Sequence, residues 1–520
     1  MAHQDQAALY YYICNYPVLL ATILLLVPLL LLVKLRPGNH RRGKNPPPGP
    51  WQLPVIGSLH SLVGALPHYR MRELARRHGP LMLLRLGEIH VVVASSASAA
   101  REILKTHDAV FATRPRTSTT SASISHGVGI VLAPMGEHLR QVRKLCVNEL
   151  LSTRKVQSFH KIREEEARKL VASLASQSLQ PEAVNVSSRL VAYFNNTVAR
   201  AVLGDEITDR DAFIECLDEG IRVAAVLSLS DLFPSSRLAR AFCGTTRRLE
   251  AASRRMRHVT NGIIEEHRAR RAVVGAGNGD ENILDVLLRI QTEDATLHMG
   301  TIRAMITDLF VAGSETPATM LNWAMAEMMR NPKVLGRAQA EVRATLAGQS
   351  HVPEKALPEL RYLQLVIKET LRLHMPGPLL MPRECQEPCR VLGYDVPKGA
   401  MVLVNAWAIA RDNQNWGSDA EEFCPERFQE PAQAAHVDFR GQHFQFLPFG
   451  AGRRICPGMN FSLPAMELAL ASLLFHFDWE LPKGTLPAQL DMAEVFGMTA
   501  KRKTDLLLHA YLRVPLPASS

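Results

Sequence analysis

Residues 449–458 read Phe449-Gly450-Ala451-Gly452-Arg453-Arg454-Ile455-Cys456-Pro457-Gly458. One cysteine sits in a glycine-rich loop with two arginines beside it, and an apolar run follows through Met459, Phe461, Leu463, Met466 and Leu470. Gly450, Gly452 and Gly458 can take backbone angles closed to other residues and let a flat ligand approach the main chain. Arg453 and Arg454 make the loop electropositive, which favours a thiolate over a thiol at Cys456. Against this stands the commonest role of a lone cysteine, that of a small buried hydrophobe. The residue type does not choose between the two; the spacing around it does.

Phe449, Gly452, Arg454, Cys456 and Gly458 satisfy every fixed position of Phe-x-x-Gly-x-Arg-x-Cys-x-Gly. The stretch resembles the haem-binding loop of the cytochromes P450, whose iron is held by a cysteine thiolate that favours O–O cleavage. The resemblance implies that Cys456 is the axial ligand of haem b and that Arg454 pairs with a haem propionate. Gly450 borders the ring, and Phe449 packs near the sulfur.

The totals are compatible with an enzyme of this kind. The chain has 520 residues, ordinary globular composition and a formal charge of +10. A basic protein attracts nucleic acid, an anionic membrane surface or an acidic partner. No zinc-finger spacing, RNA-recognition signature or aromatic–basic interleaving is present, so nucleic acid is set aside. The eight cysteines are scattered with no Cys-x-x-Cys pair. That pattern fits free thiols in a reducing compartment. Cys385 and Cys389 lack a matching pair at zinc-like spacing and are taken as structural.

From Gln6 to Val33 no residue is charged. The run is long enough to cross the roughly 30 Å hydrocarbon core as a helix. Lys34, Arg36, Arg41, Arg42 and Lys44 follow it, which places the body of the protein in the cytosol. A cleaved signal peptide fits less well, because the charge lies after the apolar run and no small-x-small site ends it. Pro46-Pro47-Pro48-Gly49-Pro50 is stiff, since proline fixes φ. It resembles the proline-rich hinge of membrane-bound P450s. The expected organisation is an anchor over 1–34, a basic and proline-rich hinge over 35–57 and a catalytic domain over 58–520. The expected location is the endoplasmic reticulum membrane, crossed once.

Leu81 to Leu86 and Val91 to Ala94 read as a β-hairpin around Gly87, and Ala97 to Lys105 as a helix capped by Ser96. Thr117 to Ser125, rich in Ser and Thr, reads as a loop. Gly136 to Lys144 resembles the family's C-helix motif and places Arg143 where an arginine binds a propionate. Leu139 stands at the tryptophan position, so the indole N–H is missing, and His138 or Arg140 is the candidate substitute donor. Residues 155–271 read as amphipathic helices. Asp231-Leu232-Phe233-Pro234 reads as a helix break. The glycine-rich 275–280 stretch lacks the strand-then-helix context of a dinucleotide loop and reads as a flexible connection.

Ile302 to Arg330 has a long helical pattern ended by Asn331-Pro332. Inside it, Gly313 and Pro317 are poor helix formers, and Pro317 offers no N–H to the Gly313 carbonyl. A locally opened turn is therefore expected. Ala312-Gly313-Ser314-Glu315-Thr316 resembles the Ala-Gly-x-Asp/Glu-Thr motif of the P450 oxygen-side helix. By that match Thr316 and Glu315 deliver protons during oxygen activation, while Ala312 and Gly313 leave room over the haem. Glu369-Thr370-Leu371-Arg372 and Pro425-Glu426-Arg427-Phe428 resemble the family's paired structural motifs, and imply a buried Glu369–Arg372–Arg427 network. Further expectations by resemblance are Arg383 near a propionate, and Pro378, Leu379 and Met498 at the substrate pocket.

The chain is thus expected to be mainly helical with a small β region, a P450 fold behind an N-terminal anchor helix. The reaction implied is insertion of one atom of O2 into a small apolar substrate. Electrons would come from NADPH through P450 reductase, with membrane lipid as the other partner. The segments resemble plant P450s of specialised metabolism, typified by family 71, and point to a diterpenoid or sesquiterpenoid. Phenolics and lipid-tailed phenols are the alternative substrates. A haem-thiolate isomerase or dehydratase and a haem-free membrane scaffold are the rival functions. The first does not explain the Glu315-Thr316 pair, and the second does not explain why Cys456, Thr316 and Glu369 occur together.

Overall fold

The structure is a computed structural model that describes residues 45–516 apart from 126, 179–181, 205–209, 225–227, 275–280 and 294–295. The expected anchor and the 275–280 connection therefore lie outside the described residues. Among the described residues no helix is long and apolar enough to cross a membrane. Asn45 opens the described chain and is bonded to the body: its N–H donates to Asp395 at 3.0 Å, and its amide to the Gly393 carbonyl. The Pro48 carbonyl accepts from the Leu83 N–H at 2.8 Å.

The expected hairpin forms. β1 (Leu81–Leu86) pairs antiparallel with β2 (Ile89–Ala94), and both are almost wholly buried, as their near-continuous aliphatic sequence requires. Four further segments lie near this hairpin in the β region: β3 (Arg383–Glu384), β4 (Cys389–Val391), β5 (Tyr394–Val396) and β6 (Met401–Val404). The main sheet runs β1-β2-β6-β3, with β2 and β6 parallel. β6 stops at Val404. The Asn405 side chain accepts from the Ala408 N–H, so it caps a short helix instead.

Helix α1 (Ala97–Arg101) starts at Ser96, whose hydroxyl accepts from the Ala99 N–H, and a wider π turn carries it on through Thr106. Thr117–Ser125 is not the loop its composition suggests. It contains α2 (Ser118–Ser123), because Thr117 and Thr120 cap each other's backbone N–H groups. The same Ser/Thr content that predicts a loop satisfies a helix start. Helix α3 (Glu137–Leu145) and α4 (Val186–Leu203) follow. Asn185 caps α4. The break at Phe233 is real: α5 (Leu229–Leu232) ends there, held by a Ser228–Asp231 capping box.

The core is arranged about α6 (Met299–Arg330), which runs through it and packs on α4. Gly313 marks their close approach, since a Cβ there would meet Val198 Cγ2 at 3.1 Å. The expected opening at Pro317 does not appear, and α6 is continuous with Pro317 inside it. Burial offsets the one missing backbone bond. Residues Pro317 to Leu321 and Trp323 to Met329 are all buried, so leaving the helix would expose a large apolar surface. Helices α7 (Arg361–Leu373) and α8 (Met459–His476) complete the core, and α8 is buried on nearly every side from Ala465 to His476. The hairpin of β7 (Glu494–Phe496) and β8 (Ala500–Arg502) lies against α6, where Trp323 Nε1 donates to the Ala500 carbonyl at 3.1 Å.

Candidate active site

Cys456 lies between a short helical turn, Gly452–Arg454, and the start of α8. Its N–H donates to the Phe449 carbonyl at 2.9 Å, which closes the loop. Gly452 has φ +69°, and a Cβ there would lie 2.3 Å from the Leu104 carbonyl oxygen and 2.7 Å from Asp108. Only glycine fits. Phe449 turns its ring edge-on to Phe439, with centroids 5.4 Å apart.

Cys456 is deep among protein atoms, yet part of its surface is accessible. Burial pushes its thiol up; the N–H groups of Gly458 and Met459 and the charge of Arg143 pull the other way. This corrects the expected source of positive charge. Arg454 points away, donating to the Ala112 carbonyl at 2.7 Å, to Ile130 at 3.2 Å and to Ala133. Arg453 is exposed. The cation that acts on the sulfur is Arg143 of α3, whose Nη2 donates to the Ile455 carbonyl at 2.7 Å.

Arg143 belongs to a cluster. Arg383 donates to Asp108 Oδ1 at 2.8 Å and to the Ala451 carbonyl at 3.0 Å. Arg114, which the sequence reading did not single out, donates to the Val131, Met381 and Pro382 carbonyls at 3.0, 3.0 and 2.8 Å. Burial and the charges of Arg454, Arg383 and Arg143 push Arg114 well below the usual guanidinium range. Arg454 is pushed down to about 10, by burial first and then by Arg383 and Arg143. Asp108 is the carboxylate shared with these cations, and it also accepts from the Arg453 N–H at 2.7 Å. Asp108 and Arg114 escaped the sequence reading because nothing local marks them. The one available signal was Thr113-Arg114-Pro115-Arg116, a paired-arginine stretch near Ser96–Thr106.

The second set of expected site residues lies on α6. Ala312 is exposed and Gly313 and Thr316 are half-exposed, although the helix is buried on either side of them. The Thr316 hydroxyl donates to the Ala312 carbonyl at 2.7 Å. Glu315 Oε1 accepts from the Thr499 hydroxyl at 2.8 Å. The two candidate substitute donors for the tryptophan position have partners of their own in this structure. His138 bonds the Val128 carbonyl at 2.8 Å and Arg140 pairs with Glu137 at the surface. Leu139 is buried in the core.

Leu379 is buried in the cluster that holds Met71, Leu74, Met401 and Leu403, and Pro378 is also buried. The neighbour Leu380 lies by the cysteine loop: at φ +52° its Cδ1 lies 4.0 Å from the Cβ position of Gly450. Met498, at the tip of the β7–β8 hairpin, is 40% exposed.

The Glu369–Arg372–Arg427 network forms as expected. Both Glu369 oxygens accept from Arg372 at 2.8 Å, and Oε1 also accepts from Arg427 Nε at 2.9 Å and from the Cys424 N–H at 2.9 Å. Arg372 spends its remaining donors on the Ala410, Ala420 and Glu422 carbonyls. The network thereby ties α7 to the segment that leads into the cysteine loop.

These residues fit a haem. A part-accessible sulfur lies just before a helix start, guanidinium groups in excess of their carboxylate suit the two propionates, and α6 leaves the small residues Ala312 and Gly313 accessible. The comparisons agree. The family model "Cytochrome P450" matches residues 46–507. The chain is 46% identical over 495 residues to desmethyl-deoxy-podophyllotoxin synthase of Sinopodophyllum hexandrum, covering 94% of this chain and 96% of that one. It is 42% identical over 497 residues to 5-epiaristolochene 1,3-dihydroxylase of Nicotiana tabacum, covering 94% and 97%. Among solved structures, a zebra fish cytochrome P450 with progesterone superposes with TM-score 0.72 at 24% identity, over 86% of this chain and all of that one, and shares its fold. The chain belongs to the cytochrome P450 family, as a plant-type monooxygenase that uses haem.

Proposed function

We propose that this enzyme hydroxylates a terpenoid skeleton, drawing electrons from NADPH through an acidic, membrane-bound reductase at the cytosolic face of the endoplasmic reticulum. The observation that carries this reading is a Cys456 sulfur that is part-accessible just before α8, in a chain whose buried helix α6 also leaves Ala312, Gly313 and Thr316 accessible. Haem bound through the Cys456 thiolate supplies reductive activation of dioxygen. One oxygen atom enters the substrate and the other leaves as water, with a hydride equivalent from NADPH (two electrons and one proton) and one further proton from solvent completing the balance.

The chain's own residues do the rest. With haem bound, Arg114, Arg143, Arg383 and Arg454 would hold its propionate carboxylates by charge-assisted hydrogen bonds. Ala312, Gly313 and Leu380 leave an apolar surface for a hydrocarbon. The Thr316 hydroxyl, its hydrogen held by the Ala312 carbonyl, keeps its lone pairs to accept and pass a proton. Glu315 is the adjoining acid.

Arg143 of α3 reaches the carbonyl beside Cys456, so α3 and the cysteine loop share a face. Arg140, Lys144 and Arg453 are exposed there and would attract an acidic partner. The 42% identity to a dihydroxylase named for 5-epiaristolochene supports a terpenoid, and the uncharged 6–33 run supports membrane attachment. The test is reconstitution with reductase, NADPH and 5-epiaristolochene under labelled dioxygen. Product carrying one labelled oxygen supports the reading. Turnover that needs neither NADPH nor dioxygen defeats the monooxygenase assignment, and failure on that hydrocarbon with success on a phenol defeats the terpenoid.

A further inference from the structure

Glu315 is held in an unusual way. One carboxylate oxygen, Oε1, accepts from Thr499 at 2.8 Å; the other, Oε2, is buried and has no hydrogen-bond partner among the described residues. Thr499 comes from the β7–β8 hairpin, 184 positions along the chain. It is itself 2% exposed, and its hydroxyl lies 3.5 Å from that of Thr319, one turn beyond Glu315 on α6. The hairpin cannot easily move at this point. The Gly497 N–H donates to the Thr499 carbonyl at 3.1 Å, and Trp323 holds the Ala500 carbonyl.

Leaving a carboxylate oxygen buried and unpaired costs free energy. The arrangement persists because the hairpin holds it. A carboxylate fixed at one oxygen has one geometry for the other, and that other oxygen is the one that can take and give a proton. We propose that Thr499 is the positioning residue of Glu315: its hydroxyl pins Oε1 and so presents Oε2 as the proton-exchanging oxygen beside Thr316. This rests on the reading that Glu315 supplies protons during turnover. It also ties proton supply to the hairpin tip that bears the exposed Met498, so a substrate pressing on that tip bears on the acid through one hydrogen bond.

The experiment compares Thr499→Val, Thr499→Ser and Glu315→Gln in the haem-loaded enzyme. Two quantities are read. The first is the solvent isotope effect and pH profile of NADPH oxidation with reductase and no added substrate. The second is the infrared carboxyl band of Glu315 in the resting protein, assigned by its absence in Glu315→Gln. Thr499→Val is expected to slow NADPH oxidation several-fold, enlarge the isotope effect and shift the infrared band upward. Thr499→Ser should restore all three, and Thr499→Val added to Glu315→Gln should cost nothing further. A merely structural threonine would lower the unfolding midpoint and leave the isotope effect and pH profile unmoved. If Glu315→Gln alters turnover and Thr499→Val does not, the positioning role is wrong and the proton role of Glu315 stands. If Glu315→Gln itself changes nothing, both fall.

Discussion

Two groups of buried charge lie in this molecule, and they are built on opposite plans. Around Glu369 every charge has its counterpart: Arg372 and Arg427 share Glu369, Arg427 also pairs with Asp419 at 3.1 Å, and their remaining donors go to backbone carbonyls. Around Cys456 burial holds the guanidinium groups of Arg114, Arg143, Arg383 and Arg454 below the usual range; neighbouring arginines lower Arg114, Arg383 and Arg454 further, and Asp108 is the carboxylate among them. The first is balanced without any ligand, and its role is to hold the chain. The second has cationic charge to spare, and the propionates of haem are anions of the right kind. Charge balance separates a structural site from a binding site where burial does not, because arginines of both groups are buried.

The contrast predicts different costs for removing an arginine from each. Arg372→Ala leaves Glu369 buried against Arg427 alone, and should cost about 3–5 kcal/mol. In a urea titration this is a large fall in midpoint, with little haem-loaded protein recovered. An unchanged midpoint would break the contrast at its stronger end.

Asp308 lies between the extremes, a carboxylate on α6 without a cation, accepting from the Val131 N–H at 2.9 Å. Burial pushes it up to about 6, against the N–H bonds from Val131 and Ile130. A raised pKa means that the folded state holds the proton more tightly. Its contribution is complete below the ordinary carboxylate range and lost as pH rises through about 6. Stability relative to Asp308→Asn should therefore fall by about 1–3 kcal/mol between pH 4 and pH 6 and then level off. A difference independent of pH would contradict this.

Leu139→Trp places an indole where the family's motif has one. In this chain the site is a filled apolar core. The expected outcome is destabilisation of about 1–2 kcal/mol by overpacking, read as a lower melting midpoint. The smallest effect on folding is expected for Arg143→Ala. It relieves repulsion as it loses a hydrogen bond, so stability should stay within about 1 kcal/mol while haem transfer to apomyoglobin quickens about 10-fold. Equal losses in Arg143→Ala and Arg372→Ala would erase the distinction between the two sites.

What the sequence made legible was whatever is local and fixed in spacing. The cysteine loop and the Glu369 and Arg427 motifs could be read residue by residue because each occupies a short run. The cluster around Asp108 could not, since its bond to Arg383 spans 275 positions and neither residue signals the other. The same is true of Thr499 and Glu315. Two local rules also misled. Ser and Thr suggested a loop at Thr117–Ser125, where they cap a helix, and Pro317 suggested an opened turn, where burial keeps α6 intact.

The most direct test of the central claim is the carbon monoxide difference spectrum of the reduced, haem-loaded protein, recorded beside Cys456→Ser and Arg143→Ala. The account predicts the red-shifted Soret band of thiolate-ligated haem in the native protein and in Arg143→Ala, and its absence in Cys456→Ser. A native protein that binds haem without that band, or a Cys456→Ser protein that keeps it, would contradict the account.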